Sequence, residues 1–306
     1  MRKGKIAWFL LLTFGISWTI AGVFFGMGGR LDSPLALPVL LLYMIVPAVS
    51  ALIVQRLIYR EPVIDPLGLR LPTRRWRWFL FAIFLPPLLA AAAFGVSLLL
   101  PGISLDPQAT EFRAALQPRL TPEQYDALTR QVAQWPWPLM LTIVLLQGAV
   151  TGAIANFIPS LGEELGWRGL LVREMAPLRF WAMALVIGVI WGIWHAPIIW
   201  QGYNYPEHPR IGVLMMIAFT TLFSPLFLYA RLRARSVFAP TLMHATLNAT
   251  ATGAVLFVIG GSDLTRGLLG LAGFIVLAVA NLLLLFDRRL LREPMAVLLD
   301  EEANGR

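Results

Sequence analysis

Glu163, Glu164 and Arg168 stand within six residues of one another in "SLGEELGWRGLL" (160–171), between long apolar runs. Two of the three histidines are placed alike, His195 in "VIGVIWGIWHAPIIW" and His244 in "SVFAPTLMHATLNATATG". Ionisable groups inside apolar spans are costly and usually face a bundle interior or a watery cavity. Helical spacing sorts them. Neighbouring residues diverge by about 100°, so Glu163 and Glu164 point apart, while Glu164 and Arg168 share a face at i,i+4. That leaves Glu163 free to point into a cavity as a candidate general base. His244 and Asn248 lie one turn apart, as do Trp191 and His195, where the indole can wall and orient the imidazole. An imidazole N–H and an asparagine amide suit a developing oxyanion. A carboxylate and a second imidazole around one water suit formation of a nucleophile. Together Glu163, His195, His244 and Asn248 are an outfit for hydrolysing an acyl bond, with Glu164, Arg168 and Trp191 as support. HExxH is absent, and a zinc ion needs a fold that gathers Glu163, His195 and His244. A cofactor-free reaction is favoured, with a divalent metal as the alternative. The third histidine, His208 in "GYNYPEHPR", reads as a solvated loop residue.

The elements that must carry these groups are membrane helices. The 306-residue chain is 58% hydrophobic and 14% charged, against roughly a quarter charged in soluble domains. Its mean hydropathy is +0.71. Apolar runs near the 20 residues needed to span a bilayer occur at about 6–28, 35–55, 78–100, 138–159, 181–200, 211–230, 237–259 and 267–286, predicting an all-α bundle of about eight transmembrane helices around a central cavity. The first run follows a basic start but is too long for a signal-peptide core and lacks an A-x-A site, so it reads as a retained span. The net charge of +8 comes from cations clustered at helix ends, which points to membrane topology rather than nucleic acid. Arg2, Lys3 and Lys5 precede the first span. Arg56, Arg60, Arg70, Arg74, Arg75 and Arg77 follow the second, Arg173 and Arg179 the fourth, Arg231, Arg233 and Arg235 the sixth, and Arg288, Arg289 and Arg292 the last. The positive-inside rule then puts both termini in the cytoplasm.

Residues 102–137 form the one large outer loop. Thr121 as N-cap, Pro122 at N1 and Gln124 at N3 predict a capping box, and Tyr125, Leu128 and Val132 predict an amphipathic face. Without internal repeats or linkers, 1–306 reads as one membrane domain with a catalytic core over about 138–259. The absence of cysteine removes disulfides, thiolate nucleophiles and Cys-ligated zinc.

"EELGWRGLL" matches an EExxxR motif and "HATLN" an HxxxN motif, while "WGIWH" matches FxxxH with Trp191 in the phenylalanine position. In these three motifs, and in their order, the chain resembles the CPBP, or ABI, intramembrane proteases, which include type II CAAX prenyl endopeptidases and bacteriocin-immunity proteins. The resemblance implies a cavity reached from the cytosolic side, a water activated by Glu163 and His195, an oxyanion held by His244 and Asn248, and Arg168 bracing Glu164. It also implies membrane lipid and a membrane-associated peptide or lipidated protein as partners, with no nucleic acid. The short loops and chain length point to a bacterial or archaeal plasma membrane. The competing readings are a silent scaffold or immunity factor and a proton-coupled carrier; a carrier would be expected to show internal repeats. One conflict stands. His195 falls ~21 Å into its helix and His244 only ~12 Å into its own, so a shared cavity requires tilted, offset or broken helices, with Pro197 a candidate break, or a helix carrying Glu163 that dips into the membrane as a longer fourth span.

Overall fold

The computed structural model describes residues 1–287 together with Met295 and Leu299. The predicted flank Arg288, Arg289 and Arg292 lies outside the described residues. The fold is an all-α bundle. Helix α1 (Lys3–Gly26) leads to α2 (Ala36–Leu52), which runs on as a π-helical turn to Ile58, and then to α3 (Trp76–Ser97). The segment between α3 and residue 137 holds strand β1 (Ile103–Leu105), α4 (Thr110–Leu116) and α5 (Pro122–Gln134). The predicted capping box of α5 forms in both directions between Thr121 and Gln124, and Val132 is buried on the predicted face.

The second half begins with α6 (Trp137–Ala155) and α7 (Phe157–Glu164), which continues through a π-helical turn, Leu165–Leu171, into α8 (Val172–Glu174). Then come α9 (Phe180–Trp194), α10 (Ala196–Ile199), α11 (Pro209–Ala234), α12 (Phe238–Thr250), strand β2 (Val258–Gly260) and α13 (Leu271–Leu284). Each of the eight predicted runs carries a helix. Five of the described helices are long and apolar enough to cross a membrane: Lys3–Gly26, Ala36–Ile58, Thr73–Ser97, Trp137–Ala155 and Pro209–Ala234. The runs at 181–200, 237–259 and 267–286 yield shorter helices. The run expected to stay helical to 259 ends at Thr250, passes through a 3₁₀ turn and pairs β2 antiparallel with β1. The Thr250–Thr252 region is rich in β-branched residues, and Gly253, Gly260 and Gly261 follow, so little favours continued helix.

Three G-x-x-x-G pairs set the spacing of the second half. An added Cβ on Gly152 would fall 2.8 Å from Ala245 O, and one on Gly162 2.6 Å from Met44 O. The equivalent atoms on Gly188 and Gly192 would meet Thr221 Cα at 2.6 Å and Ile217 Cα at 2.5 Å. With their partners Gly148 and Gly166, these glycines let α6 lie on α12, α7 on α2 and α9 on α11 almost backbone to backbone. This is the usual way apolar helices associate where lipid offers no hydrophobic contrast.

The predicted cationic flanks gather on one face. Lys5, itself buried, meets Glu61 at 2.8 Å and Glu174 at 2.9 Å, and Arg2 bonds the same two carboxylates. Arg75 donates to Arg233 O and Arg231 to Arg168 O. Arg70, Arg74, Arg77, Arg173, Arg231 and Arg235 line a cavity of about 720 Å³ there. The segments at this end (1–5, 56–77, 172–179, 231–235 and 285–287) hold fourteen lysines and arginines against four carboxylates. The opposite segments (27–35, 98–136, 200–210 and 256–270) hold six against seven.

Candidate functional site

Glu163 owes its place to two local features. α6 stops at Asn156, whose side chain donates to Ala245 O at 3.2 Å, and α7 starts anew at Phe157. After Glu164 the helix widens into the π turn, a form that is rare and often found at functional sites. Gly162 and Gly166 press this widened segment against α2 and Phe9. The segment carrying Glu163 is therefore a separate short helix after the break at Asn156, not the continuation of one longer fourth span that the sequence offered as an alternative.

α9 ends at Trp194, with His195 as its C-cap and Pro197 in the short α10. The chain thus breaks beside the expected proline. Trp194 O accepts from Tyr43 Oη at 2.6 Å and from Trp18 Nε1 at 3.2 Å, which fixes this helix end to α2 and α1. His195 Nδ1 lies 2.8 Å from Trp191 O. A carbonyl can only accept, so Nδ1 carries the proton and the neutral ring keeps its lone pair on Nε2.

The two carboxylates take different partners on the two sides of His244. Glu164 Oε1 accepts from Arg168 Nη1 at 3.0 Å and from His244 Nδ1 at 2.9 Å. Glu163 Oε1 stands 3.8 Å from His244 Nε2. Its Oε2 accepts from Trp191 Nε1 at 2.8 Å and Trp167 Nε1 at 3.4 Å. The fully buried Arg168 guanidinium lies between the Trp191 and Phe227 rings, 4.7 and 4.3 Å from their centroids, and also reaches Ser224. The predicted Glu164–Arg168 pair is present, and Glu164 has a second partner in His244 that helical spacing does not disclose.

Glu163, His195, His244 and Asn248 all line one cavity of about 280 Å³. Glu163, His195 and His244 are buried in its wall, and Asn248 is exposed in it. The depth conflict between the histidines is bridged by Trp191, whose ring lies 5.7 Å from His195 and 5.4 Å from His244. Trp191 thus touches Glu163, His195, His244 and Arg168. Tyr43, Tyr203, Asn156 and Thr220 also line the cavity and are absent from the predicted set. Of these, Asn156 had a visible signal, an isolated amide within an apolar run.

Glu163, His195 and His244 do not fit zinc as placed. Among the described residues, the only three candidate ligands with donor atoms within 4.8 Å of one another are Glu207, His208 and Asp263, at the surface. His208, expected to be simply solvated, is bonded to Asp263 at 2.7 Å, and the same carboxylate accepts from the backbone N–H groups of Glu207 and His208. The loop needs an acceptor at the start of α11, and a segment distant in sequence supplies it.

Residues 133–250 match the family model described as Rce1-like, type II CAAX prenyl endopeptidase. The matched stretch contains every predicted site residue. No curated protein matches the chain.

Proposed function

Since residues 133–250 are a domain of the CPBP, or CAAX protease, family, we propose that this integral membrane protein is an endopeptidase in which Glu163 and His195 activate a water against a peptide bond. The observation that carries the proposal is the convergence of Glu163, His195, His244 and Asn248 on one cavity. In this reaction Glu163 takes one proton of the water while His195 Nε2 accepts the other O–H as a hydrogen bond. The water oxygen bonds to the scissile carbonyl carbon. The resulting oxyanion accepts from His244, which Glu164 holds in place before the reaction begins, and from the Asn248 amide. His244 has an acceptor on each side, Glu164 at Nδ1 and Glu163 facing Nε2, which suits an imidazolium able to donate from both nitrogens. Glu163 then passes its proton to the leaving nitrogen, the C–N bond breaks, and a carboxyl and an amine depart. Glu164, Arg168 and Trp191 orient these groups.

The reaction as proposed needs no metal, because the donor atoms of Glu163, His195 and His244 do not meet at one point. The substrate is a membrane-associated peptide or lipidated protein. Purified protein should cleave a quenched fluorogenic peptide, tested with and without a farnesyl group. Glu163→Gln and His195→Ala should each lower the rate by a factor of hundreds or more. Normal cleavage by both variants would remove the assignment, as would loss of wild-type activity on chelation for the metal-free form. A silent scaffold would show no cleavage by the wild type.

A further inference from the structure

We infer that the cavity receives its peptide from the face opposite the arginines, the extracytoplasmic side, and not from the cytosolic side that the family resemblance implies. The inference rests on the hydrolytic reading of the cavity for its substrate, but not for its direction.

Four elements give the same direction. Leu37, Leu40, Tyr43 and Met44 line the cavity from the first nine residues of α2, a span that reaches the arginine-rich end only at Ile58. At 1.5 Å per residue, Met44 is ~21 Å from that end. Met216, Phe219 and Thr220 lie in the first half of α11, whose Arg231 and Arg233 are in its last turn, against the single Arg210 at its start. Asn248 and Thr252 belong to the last turn of α12 and the residues beyond it, away from Phe238. His195 caps the end of α9 remote from Arg179. The exposed lining residues Leu37, Asn204, Asn248 and Thr252 mark the mouth on this side.

The other direction is closed. Trp167, Arg168, Leu170, Leu171 and Phe227 are fully buried behind the carboxylates, and the Arg168–Glu164 pair forms the floor. Basic ends face the cytoplasm, and here the contrast is fourteen cations against four anions on one face and six against seven on the other. The two facts together place the mouth outside. They favour, as substrate, an extended peptide with apolar side chains on the outer part of a membrane-anchored protein, because Leu37, Leu40, Phe219 and Leu247 line the cavity. A prenyl-anchored cytosolic protein would meet the closed floor.

The chain has no cysteine of its own, so single cysteines report their own side. In intact bacterial cells, a membrane-impermeant maleimide should label Asp126→Cys in α5 and Thr252→Cys at the mouth. Arg74→Cys on the basic face should be labelled only after the cells are opened. The reverse pattern overturns the inference, as does Thr252→Cys being protected in intact cells while Asp126→Cys reacts. In a second arm, right-side-out vesicles should cleave an impermeant quenched peptide and inside-out vesicles should not. Cleavage by inside-out vesicles alone also overturns it. Absence of cleavage in detergent sinks the hydrolytic reading instead and leaves the labelling pattern to decide the direction.

Discussion

The Trp191 indole N–H donates a 2.8 Å hydrogen bond to Glu163, while the backbone carbonyl of the same residue holds His195 Nδ1. One residue therefore sets the relation between the two groups proposed to share a water. The phenylalanine of the FxxxH motif has no N–H to offer, so the tryptophan adds a bond that the motif lacks. Trp191→Phe keeps a ring between the histidines and removes only the donor. A hydrogen bond to a charged group is worth about 1.5–3 kcal/mol, so kcat should fall roughly ten- to hundredfold if that energy goes into positioning Glu163. Unchanged kcat would mean that the bond does not position Glu163.

Glu164→Gln tests the floor of the site. It leaves the buried Arg168 guanidinium without its charged partner, and breaking a buried pair by removing one member costs about 3–5 kcal/mol. The double variant Glu164→Gln, Arg168→Met should recover most of that stability in a denaturant titration, but not cleavage, because His244 remains without its carboxylate. Equal stability of the single and double variants would argue against the pair as the cause.

Gly192→Val tests the backbone approach of α9 to α11. The new side chain has no room beside Ile217 Cα, and overpacking costs about 1–3 kcal/mol. Because His195 hangs from the end of α9, cleavage should fall further than for Gly15→Val on α1, where nothing lies within 4 Å of an added Cβ. Parallel assays of the two variants decide this.

The ion-pair cluster at the arginine-rich end predicts a pH dependence of stability. Hydrogen bonds from Arg2 and then Lys5 lower the pKa of Glu61 from 4.5 to about 2. A folded-state pKa below the unfolded value stabilises above about pH 4.5 and loses that contribution as pH falls through about 2. The unfolding midpoint of the wild type should drop across that window more steeply than that of Glu61→Gln. Parallel curves would place the acid-sensitive group elsewhere.

Much of this arrangement was legible in the chain. Apolar run length identified every spanning region, i,i+4 spacing identified the Glu164–Arg168 pair, and Thr121 with Gln124 identified the start of α5. Each depends on local periodicity. The three G-x-x-x-G pairs were also visible and carry the close approaches, yet hydropathy counts pass over them because glycine is nearly neutral. The π turn, the Glu164–His244 bond and the Trp191–Glu163 bond were not legible, since they join residues 28 to 80 positions apart or depend on a widened turn. Helix length misled at 237–259, where hydropathy continues after helical propensity has ended.

The clasp of Arg2 and Lys5 on Glu61 and Glu174 imposes an order on biosynthesis. Glu61 follows Lys5 by 56 residues and Glu174 follows Arg2 by 172. At about 5–20 residues per second, the first partner emerges within roughly ten seconds and the second on the order of ten to thirty seconds after the start of the chain. Glu61 is thus available to Arg2 and Lys5 before the segment after Glu163 has been made. A nascent chain halted before residue 174 would hold only one of the two carboxylates of the clasp, and its proposed site would still lack His195, His244 and Asn248.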